Sequence, residues 1–409
     1  MNSESIVVGL DVGTTKICVV VGEVTDEGID ILAVGTFPST GMRKGVVISI
    51  ESTVESVREA VEEAESRAGV EIRAVYVGIA GGHIKGFKSY GATGIKGKEV
   101  TPLDIERVID SAKAVYVPLD REVLHVIPTE FILDGQDGIR DPTGMIGGRL
   151  EVKVHIITGT VTSVQNLLKC CEKAGLEVID IVFEPLASAE ATLTHDEKEL
   201  GVALIDMGGG TTDIVLYKDG WLRHTSVLAI GGNHLTSDVA VGLRIPVSEA
   251  ERIKKSFGSA AAGMVSESEE IDISQIGGQL RRIPRRYLSE IIQPRCEELL
   301  ELIKGELNAC SGYDIAASGV VLTGGASLLN GLDRMTETIL GLPVRTGVPE
   351  NGGKRLISPL EGDINSPIYA TGVGLVLYGS ETESNRVFLP DLFTGIFGRM
   401  KGWVMGIFR

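Results

Sequence analysis

The sequence predicts an α/β fold that is built twice, as two lobes around a cleft. Two segments carry the same succession of strand, Asp-x-Gly turn, threonines and second strand. The first covers residues 6–21, and the second covers residues 201–217, about two hundred residues later. Such a repeat indicates an internal duplication. Strand patterns alternate with helical patterns around both copies, which is typical of α/β domains.

The first lobe opens with β-rich runs separated by turn residues, followed by an acidic helical pattern and a further strand. These segments are residues 6–10, 17–21, 29–34, 52–68 and 74–79. A helical pattern and a strand near residue 180 resume the same lobe after an interruption. We expect the first subdomain to comprise residues 1–83, 163–200 and about 355–380.

A Gly- and Lys-rich stretch after Ile79 differs in texture from the strands before it and predicts an inserted subdomain at residues 84–162. The second copy of the repeat predicts another α/β subdomain at residues 201–235 and 304–354. The mainly helical sequence between these two parts predicts a fourth subdomain at residues 236–303.

Composition excludes several classes of protein. The formal net charge is −17 and the pI is about 4.9, so the chain repels a phosphate backbone and nucleic acid is not expected as a partner. Five cysteines without a Cys-x-x-Cys pair indicate a reducing cytosol and no zinc site. The amino terminus lacks the features of a secretion signal, and no uncharged apolar run approaches the roughly 18 residues that cross a bilayer.

The two Asp-x-Gly turns predict a phosphate-binding site. In each turn an aspartate ends a strand, and glycines and threonines follow, so that backbone N–H groups and hydroxyls can surround an anion while the aspartate faces hydrated Mg²⁺. A lone turn of this kind is equally typical of a tight β-hairpin. The pair, together with Thr323-Gly324-Gly325-Ala326-Ser327 after a third strand, favours a site. The expected phosphate contacts are Gly13, Thr14, Thr15, Lys16, Gly208, Gly209, Gly210, Thr211 and Thr212.

The last segment of the chain differs in kind from the rest. Residues 379–390 predict a polar linker, and residues 391–409 predict a helix. From Arg386 onward, four basic side chains and one acidic side chain give +3, against −20 for the remaining chain. Large apolar residues fall within an arc of roughly 160°. A basic helix with one apolar face indicates binding to an anionic membrane surface. Packing on the protein's own core or on a partner is the alternative. The expected membrane residues are Leu392, Phe393, Ile396, Phe397, Arg399, Met400, Lys401, Trp403, Val404, Ile407 and Phe408.

The paired turns resemble those of the actin, Hsp70 and sugar-kinase superfamily, whose duplicated actin-like (ribonuclease-H-like) fold binds ATP and Mg²⁺ in a cleft. The resemblance covers nearly the whole chain and implies that Asp11 and Asp206 hold Mg²⁺ through water. It also implies nucleoside contacts from Gly231, Gly232, Asn233, Gly324, Gly325 and Ala326.

Two further assignments come from the same resemblance. Glu251 and Lys254 are similar to the residues that bracket ribose and adenine in bacterial members, although a solvated i,i+3 ion pair is an alternative. Glu184 matches a glutamate of the rod-shape actin homologues that orients the attacking water. Its alternative role is to end a strand before Pro185.

The inserted segment resembles that of the bacterial cell-division family FtsA. The resemblance rests on Gly81-Gly82-His83-Ile84, on the run 134–145, and on the segments 148–152 and 154–159. It implies a peripheral protein on the cytoplasmic face of the inner membrane at the division septum. There the protein would polymerise, anchor FtsZ filaments through the FtsZ carboxy-terminal peptide and recruit later divisome membrane proteins.

The expected peptide dock in the fourth subdomain is a basic cluster that includes Arg285, Arg286 and Arg295, which could instead be a solvated helix start. The sequence leaves open how fast ATP is hydrolysed. A pilus-assembly actin homologue and a metabolite kinase are the alternative functions. The apolar, basic carboxy-terminal segment argues against the first, and no motif for a substrate pocket with a catalytic base supports the second.

Overall fold

The first lobe begins with a β-meander and one long helix. The computed structural model describes residues 6–97, 99–115, 117–275, 279–349, 356 and 364–386. The opening elements are β1 (Ile6–Val12), β2 (Lys16–Thr25), β3 (Gly28–Pro38), the short hairpin β4 (Met42–Arg43) and β5 (Val46–Val47), α1 (Ile50–Ala68) and β6 (Ala74–Ile79). Helix α1 starts where the Ser49 hydroxyl accepts the N–H of Ser52, and it ends at Gly69 in the left-handed conformation.

The insert is an antiparallel sheet covered by one helix. It contains β7 (Lys85–Gly94), α2 (Pro102–Lys113), β8 (Arg121–Leu133), β9 (Gln136–Ile139) and β10 (Arg149–Thr160), with strand order β7-β10-β8-β9. Val108 and Ala112 of α2 bury against Val152 and Ile156 of β10 in a core of the insert's own. A capping box between Thr101 and Asp104 begins the helix.

The chain then returns to the first lobe and enters the second. The returning elements are α3 (Val161–Ala174), β11 (Glu177–Phe183), α4 (Glu184–Thr192) and α5 (His195–Leu200). The second lobe starts with β12 (Val202–Met207), β13 (Thr212–Lys218), β14 (Trp221–Leu228), α6 (Gly232–Leu243) and α7 (Val247–Phe257). It continues with β15 (Glu270–Ser274), β16 (Leu280–Pro284), α8 (Arg285–Ala309), α9 (Gly312–Ile315), β17 (Val320–Thr323), α10 (Leu332–Leu340) and β18 (Val344–Thr346). The last described helix, α11 (Ala370–Arg386), returns to the first lobe.

Sheet topology confirms the duplication. One sheet has the order β11-β6-β1-β2-β3, and the other has the order β18-β17-β12-β13-β14. In both sheets the central strand pairs in parallel on one side and in antiparallel hairpin fashion on the other. The parallel half of each sheet places strand ends and helix starts at the cleft, where α/β sheets commonly bind ligands.

Helix α11 packs against β1 and α4 of the first lobe. The approach is close because α11 carries glycines: a Cβ on Gly374 would lie 1.9 Å from the carbonyl oxygen of Ala187. The linker predicted from residue 379 starts too early, since α11 continues to Arg386. The helix continues past Gly379. Packing explains the glycine at this position, because Tyr76 lies against it and a Cβ there would lie 2.6 Å from the ring.

We predict that Gly374→Ala destabilises the protein and that Gly305→Ala does not. Alanine gains up to about 1 kcal/mol of helix propensity over glycine at either position. Only Gly374 meets backbone at once, and overpacking of this kind typically costs 1–3 kcal/mol, whereas a Cβ on Gly305 of α8 has no neighbour within 4 Å. Urea unfolding of both variants measures the difference. Equal midpoints for the two variants would contradict the close packing of α11 on α4.

Candidate functional site

The two predicted phosphate-binding turns have the same construction. Asp11 pairs with Cys18 across the first hairpin, and Asp206 pairs with Asp213 across the second, so both turns have equal length. The Gly13 N–H donates to the carbonyl of Lys16 at 3.1 Å. The Gly208 N–H donates to the carbonyl of Thr211 at 3.0 Å. Each lobe therefore presents an equivalent turn at the end of its central strand.

The turns meet tip to tip across the cleft. A Cβ on Gly209 would lie 1.9 Å from the Thr15 hydroxyl oxygen, and a Cβ on Gly210 would lie 2.6 Å from that of Thr14. Glycine is therefore required at the tip of the second turn for the first turn to approach it. The structure brings together the phosphate-contact residues of both lobes that the sequence predicts.

Sequence reasoning missed a third wall of this site, the turn of the β4–β5 hairpin. The Gly45 N–H donates to the Thr14 hydroxyl at 3.0 Å. The Cα of Lys44 would lie 2.9 Å from a Cβ on Gly210. Lys44 and Gly45 both have positive φ angles, 52° and 74°. The Lys44-Gly45 pair, between the short strands β4 and β5, was the available sequence signal for a turn. Nothing nearby in the sequence indicates that this turn lies against the two phosphate-binding turns.

Four carboxyl groups converge beneath the turns. Burial raises the pKa of Asp11 to about 6, with Lys16 opposing the rise and Asp206 adding to it. Burial also raises the pKa of Asp206, against the effect of hydrogen bonds from the hydroxyls of Ser188, at 2.6 Å, and Thr371, at 3.5 Å. The sequence did not indicate these two hydroxyl donors, which come from α4 and α11.

Asp213 and Glu184 complete the acidic group. Burial, followed by the charge of Asp206, holds the pKa of Asp213 well above its ordinary value. Burial, followed by the charges of Asp11, Asp213 and Asp206, does the same to the pKa of Glu184. Sequence reasoning missed Asp213 as a member of this group, although it directly follows the predicted turn. Cross-strand pairing places it opposite Asp206, where like charges are unfavourable.

Lys16 lies beside the carboxyl groups. Its ammonium donates to the carbonyl of Ile368 at 2.7 Å and lies 4.4 Å from the centre of the Tyr369 ring. A single ammonium does not balance several carboxylates, and one buried oxygen of Asp213 has no hydrogen-bond partner among the described residues. The net negative charge of the site therefore favours the binding of a cation.

The acidic groups offer oxygen donors to a cation. Within the part of the chain that the structure describes, no three acidic, histidine or cysteine side chains lie close enough to hold a metal ion directly. Mg²⁺ prefers oxygen ligands and commonly keeps several of its waters. The carboxylate oxygens of Asp11 and Asp206 are of the donor type that Mg²⁺ prefers.

The expected nucleoside contacts adjoin the second turn. The N–H groups of Gly232 and Asn233 donate to the carbonyls of Gly208 and Gly209 at 2.9 and 2.8 Å. A Cβ on Gly232 would lie 3.3 Å from the Cβ of Ala326, so the Gly231-Gly232 and Gly324-Gly325-Ala326 loops meet. All six predicted nucleoside residues therefore lie in one continuous wall with the phosphate turn.

Glu251 and Lys254 belong to this wall and are not a solvated pair. The Lys254 ammonium lies 2.7 Å from Glu251 and donates to the carbonyl of Gly232 at 3.1 Å and to the Thr236 hydroxyl at 2.8 Å. The Thr236 hydroxyl also donates to Glu251. Although burial opposes it, Lys254 holds the pKa of Glu251 below its usual value. Hydrogen bonds thus hold the Glu251–Lys254 ion pair against the first residues of α6.

Glu184 is the first residue of α4, directly after β11. Its side chain crosses Gly78, where a Cβ would lie 2.8 Å from its Cγ. It lines a cavity of about 10 Å³ together with Gly45 and His83, about the volume that one water requires. The Glu184 carboxyl group therefore borders a space of about one water's volume next to the β4–β5 hairpin.

The three arginines of the predicted peptide dock lie on one helix. Arg285 and Arg286 begin α8, and Arg295 follows within the same helix. Each has an acidic partner: Arg285 with Glu269 at 2.6 Å, Arg286 with Glu267 at 2.5 Å, and Arg295 with Asp238 at 2.7 Å. The predicted membrane residues 391–409 lie outside the described residues. Among the helices that the structure describes, none has the length and apolarity to cross a membrane.

Comparison with solved structures identifies the class of fold. The chain superimposes on the PilM-PilN type IV pilus biogenesis complex with a TM-score of 0.66 at 18% identity, covering 91% of this chain and 98% of the other. It superimposes on MreB5 of Spiroplasma citri bound to ADP with a TM-score of 0.57 at 15% identity, covering 94% and 100% of the two chains. The protein has the actin-like ATPase fold that the sequence predicted.

Sequence relatives identify the family within that class. The family description "Cell division protein FtsA" matches residues 203–374, and "SHS2 domain inserted in FTSA" matches residues 81–158. Cell division protein FtsA of Pseudomonas aeruginosa is 43% identical over 100% of this chain and 99% of its own length. That of Escherichia coli K12 is 41% identical over 93% and 91%. The chain belongs to the FtsA family of cell-division proteins, and the predicted FtsA-type insert is confirmed.

We predict that Asp11→Asn stabilises the nucleotide-free protein at neutral pH. A folded-state pKa of about 6, against 3.8 in the unfolded chain, means that ionisation of Asp11 costs stability. The cost is small below pH 4, grows as pH rises from about 4 to about 6, and is complete above pH 6, on the order of 2–3 kcal/mol. Urea unfolding at pH 4 and pH 7.5 should give variant and wild type equal stability at the lower pH only.

The matched control for this titration is Asp26→Asn in the exposed turn between β2 and β3, which should leave the pH profile unchanged. If wild type and Asp11→Asn differ equally at both pH values, the Asp11 carboxyl is not held in a buried acidic group.

Proposed function

We propose that the protein binds ATP and Mg²⁺, polymerises on the cytoplasmic face of the inner membrane at the septum, anchors FtsZ filaments there and recruits later divisome proteins. The observation that carries the nucleotide part is the tip-to-tip contact of two equivalent turns above buried Asp11 and Asp206. Membership of the FtsA family carries the cellular role.

Binding would divide between the lobes. Backbone N–H groups and hydroxyls of both turns surround the phosphates, and Lys16 supplies a positive charge. Asp11 and Asp206 would hold Mg²⁺ through water, and the bound ion would neutralise charge on the phosphates. Glu251 and Lys254 line the nucleoside end, where Lys254 is fixed by Gly232 and Thr236. Because the ligand contacts both lobes, its binding stabilises one relative orientation of the lobes.

Glu184 is proposed to orient the attacking water in a slow ATP hydrolysis. Phosphoryl transfer requires mainly positioning and charge stabilisation. Glu184 lies in the electrostatic field of Asp11, Asp206 and Asp213 and lines a cavity of about one water's volume. A cation held by the aspartates would offset that field and favour the ionised form of Glu184.

We predict that Glu184→Gln abolishes most ATP turnover and leaves ATP binding intact. The amide keeps the size of the side chain but cannot take up a proton, and loss of such a group typically costs 100-fold or more in rate. Phosphate release measures turnover, and titration with a fluorescent ATP analogue measures affinity. Glu177→Gln, at the exposed start of β11, the strand that leads to Glu184, is the matched control. Unchanged turnover in Glu184→Gln would exclude the proposed role.

The peptide dock is proposed at the start of α8, beside the β15–β16 hairpin. Tyr287 and Leu280 expose large apolar side chains there, next to Arg286. A peptide carrying acidic and apolar residues would fit such a surface. The acidic side chains that pair with Arg285 and Arg286 must be displaced or shared, so the contribution of charge is moderate.

We predict that one flotation experiment separates membrane binding from FtsZ binding. The intact chain with ATP and Mg²⁺ should float with anionic vesicles and carry FtsZ with it. A chain lacking residues 391–409 should stay in the dense fraction but still bind the FtsZ carboxy-terminal peptide. The double variant Arg285→Glu, Arg286→Glu should float with much less FtsZ than the intact chain, because charge reversal repels an acidic peptide.

The double variant Lys169→Glu, Lys173→Glu on α3 is the control for net charge, because it reverses as many charges far from the dock. It should carry FtsZ to the vesicles. Equal recovery of FtsZ with both double variants would contradict a dock at α8, and flotation of the truncated chain would contradict the membrane tether.

A further inference from the structure

A hydrogen bond connects the insert to the strand that presents Glu184. The backbone N–H of Phe183, the last residue of β11, donates to Nε2 of His125 at 2.9 Å. His125 lies in the middle of β8, within the sheet of the insert. The residue before the proposed water-positioning glutamate is therefore fixed by a side chain from a different subdomain.

The position of β11 explains why its N–H needs this partner. Strand β11 is at the edge of its sheet and pairs with β6 on one side. Phe183 is fully buried. A buried N–H without a partner typically costs 1–3 kcal/mol, so the imidazole nitrogen replaces the strand partner that an edge strand lacks.

The bond acts on Glu184 through the geometry of the turn. Phe183 is the extended residue at which α4 begins, and Glu184 is the first residue of that helix. Gly78 of β6 lies directly under the Glu184 side chain. Moving the Phe183 nitrogen therefore moves the Cα of Glu184 and shifts its carboxyl group relative to Gly78 and the turns.

The His125 ring is suited to accept this bond. Burial lowers the pKa of His125 to about 4, so the ring is neutral at physiological pH. Since Nε2 accepts, the proton of the neutral ring is on Nδ1. Tyr378 of α11 packs edge-on against the ring, with centroids 6.5 Å apart, and its hydroxyl bonds Asp180 of β11 at 3.2 Å. The ring is thus held between β11 and α11.

We propose that His125 is a positioning residue for the water-orienting carboxyl group of Glu184, and that through it the insert controls ATP turnover. The inference deepens the proposed function and rests on it, because it requires hydrolysis at Glu184. The contacts of His125 among the described residues are with Phe183 and Tyr378, which are not expected nucleotide contacts, so its effect should appear in kcat and leave the affinity for ATP unchanged.

The test compares two amides in the full-length chain. In His125→Gln, the amide oxygen reaches the place of Nε2 and can accept the Phe183 N–H. In His125→Asn, the oxygen reaches only the place of Nδ1 and cannot. We expect His125→Gln to keep most of the wild-type kcat. We expect His125→Asn to lose 10- to 100-fold, the size of effect that small misplacements produce, with KM for ATP unchanged in both.

Amide hydrogen exchange supplies a readout that does not depend on turnover. Phe183 should exchange slowly in wild type and His125→Gln and faster in His125→Asn. Equal kcat and equal exchange in the two variants would overturn the inference. His125→Phe, which keeps the ring and removes the acceptor, serves as the second variant if His125→Asn does not fold, with the same expectations as for asparagine.

Failure of this inference differs from failure of the proposed function. If wild type hydrolyses ATP and Glu184→Gln does not, but all His125 variants retain wild-type kcat, only the role of His125 is wrong. If wild type shows no turnover with Mg²⁺ and ATP, the proposed hydrolysis fails, and control of turnover by His125 fails with it. Exchange at Phe183 then still decides whether His125 holds the turn.

Discussion

The contact between the two turn tips is the constraint on which the rest of the site depends. Gly209 and Gly210 of one lobe lie directly against Thr15 and Thr14 of the other. Strands that end at these tips place Asp11 and Asp206 beneath them, both nearly removed from water. The expected nucleoside loops lie beside this contact, since Gly232 and Asn233 are hydrogen-bonded to the second turn.

Convergence of carboxyl groups in the cleft is electrostatically unfavourable. Burial costs free energy for each ionised group, and mutual repulsion adds to the cost, which is why the pKa values of Asp11, Glu184 and Asp213 are raised. The remainder of the fold, with its two large cores, offsets this cost. Functional sites commonly hold such unfavourable arrangements, and a ligand that relieves them stabilises the folded state by mass action.

The sequence predicted those parts of the site that lie within one stretch of chain. A strand, an aspartate and a glycine turn can be recognised locally, and the repeat at residue 206 predicted the second lobe. Residues brought in by packing could not be predicted. Ser188 and Thr371 approach Asp206 from α4 and α11, 18 and 165 residues away. Gly379 resembles a helix end in sequence, but its contact with Tyr76 explains why this position is a glycine. Nothing near His125 in the sequence indicates its bond to Phe183.

The insert contacts both lobes, and this has a mechanical consequence. It bonds the first lobe through His125 and Phe183, and it bonds the second lobe through His155, whose Nε2 lies 2.8 Å from the buried Thr225 hydroxyl of β14. Arg140 adds a bond to the carbonyl of Asp219 at 3.1 Å in the second lobe. A rotation of one lobe against the other must break one of these contacts or carry the insert with it. Because packed interfaces shift between discrete arrangements, the orientation of the insert depends on the same lobe closure that the turn tips require.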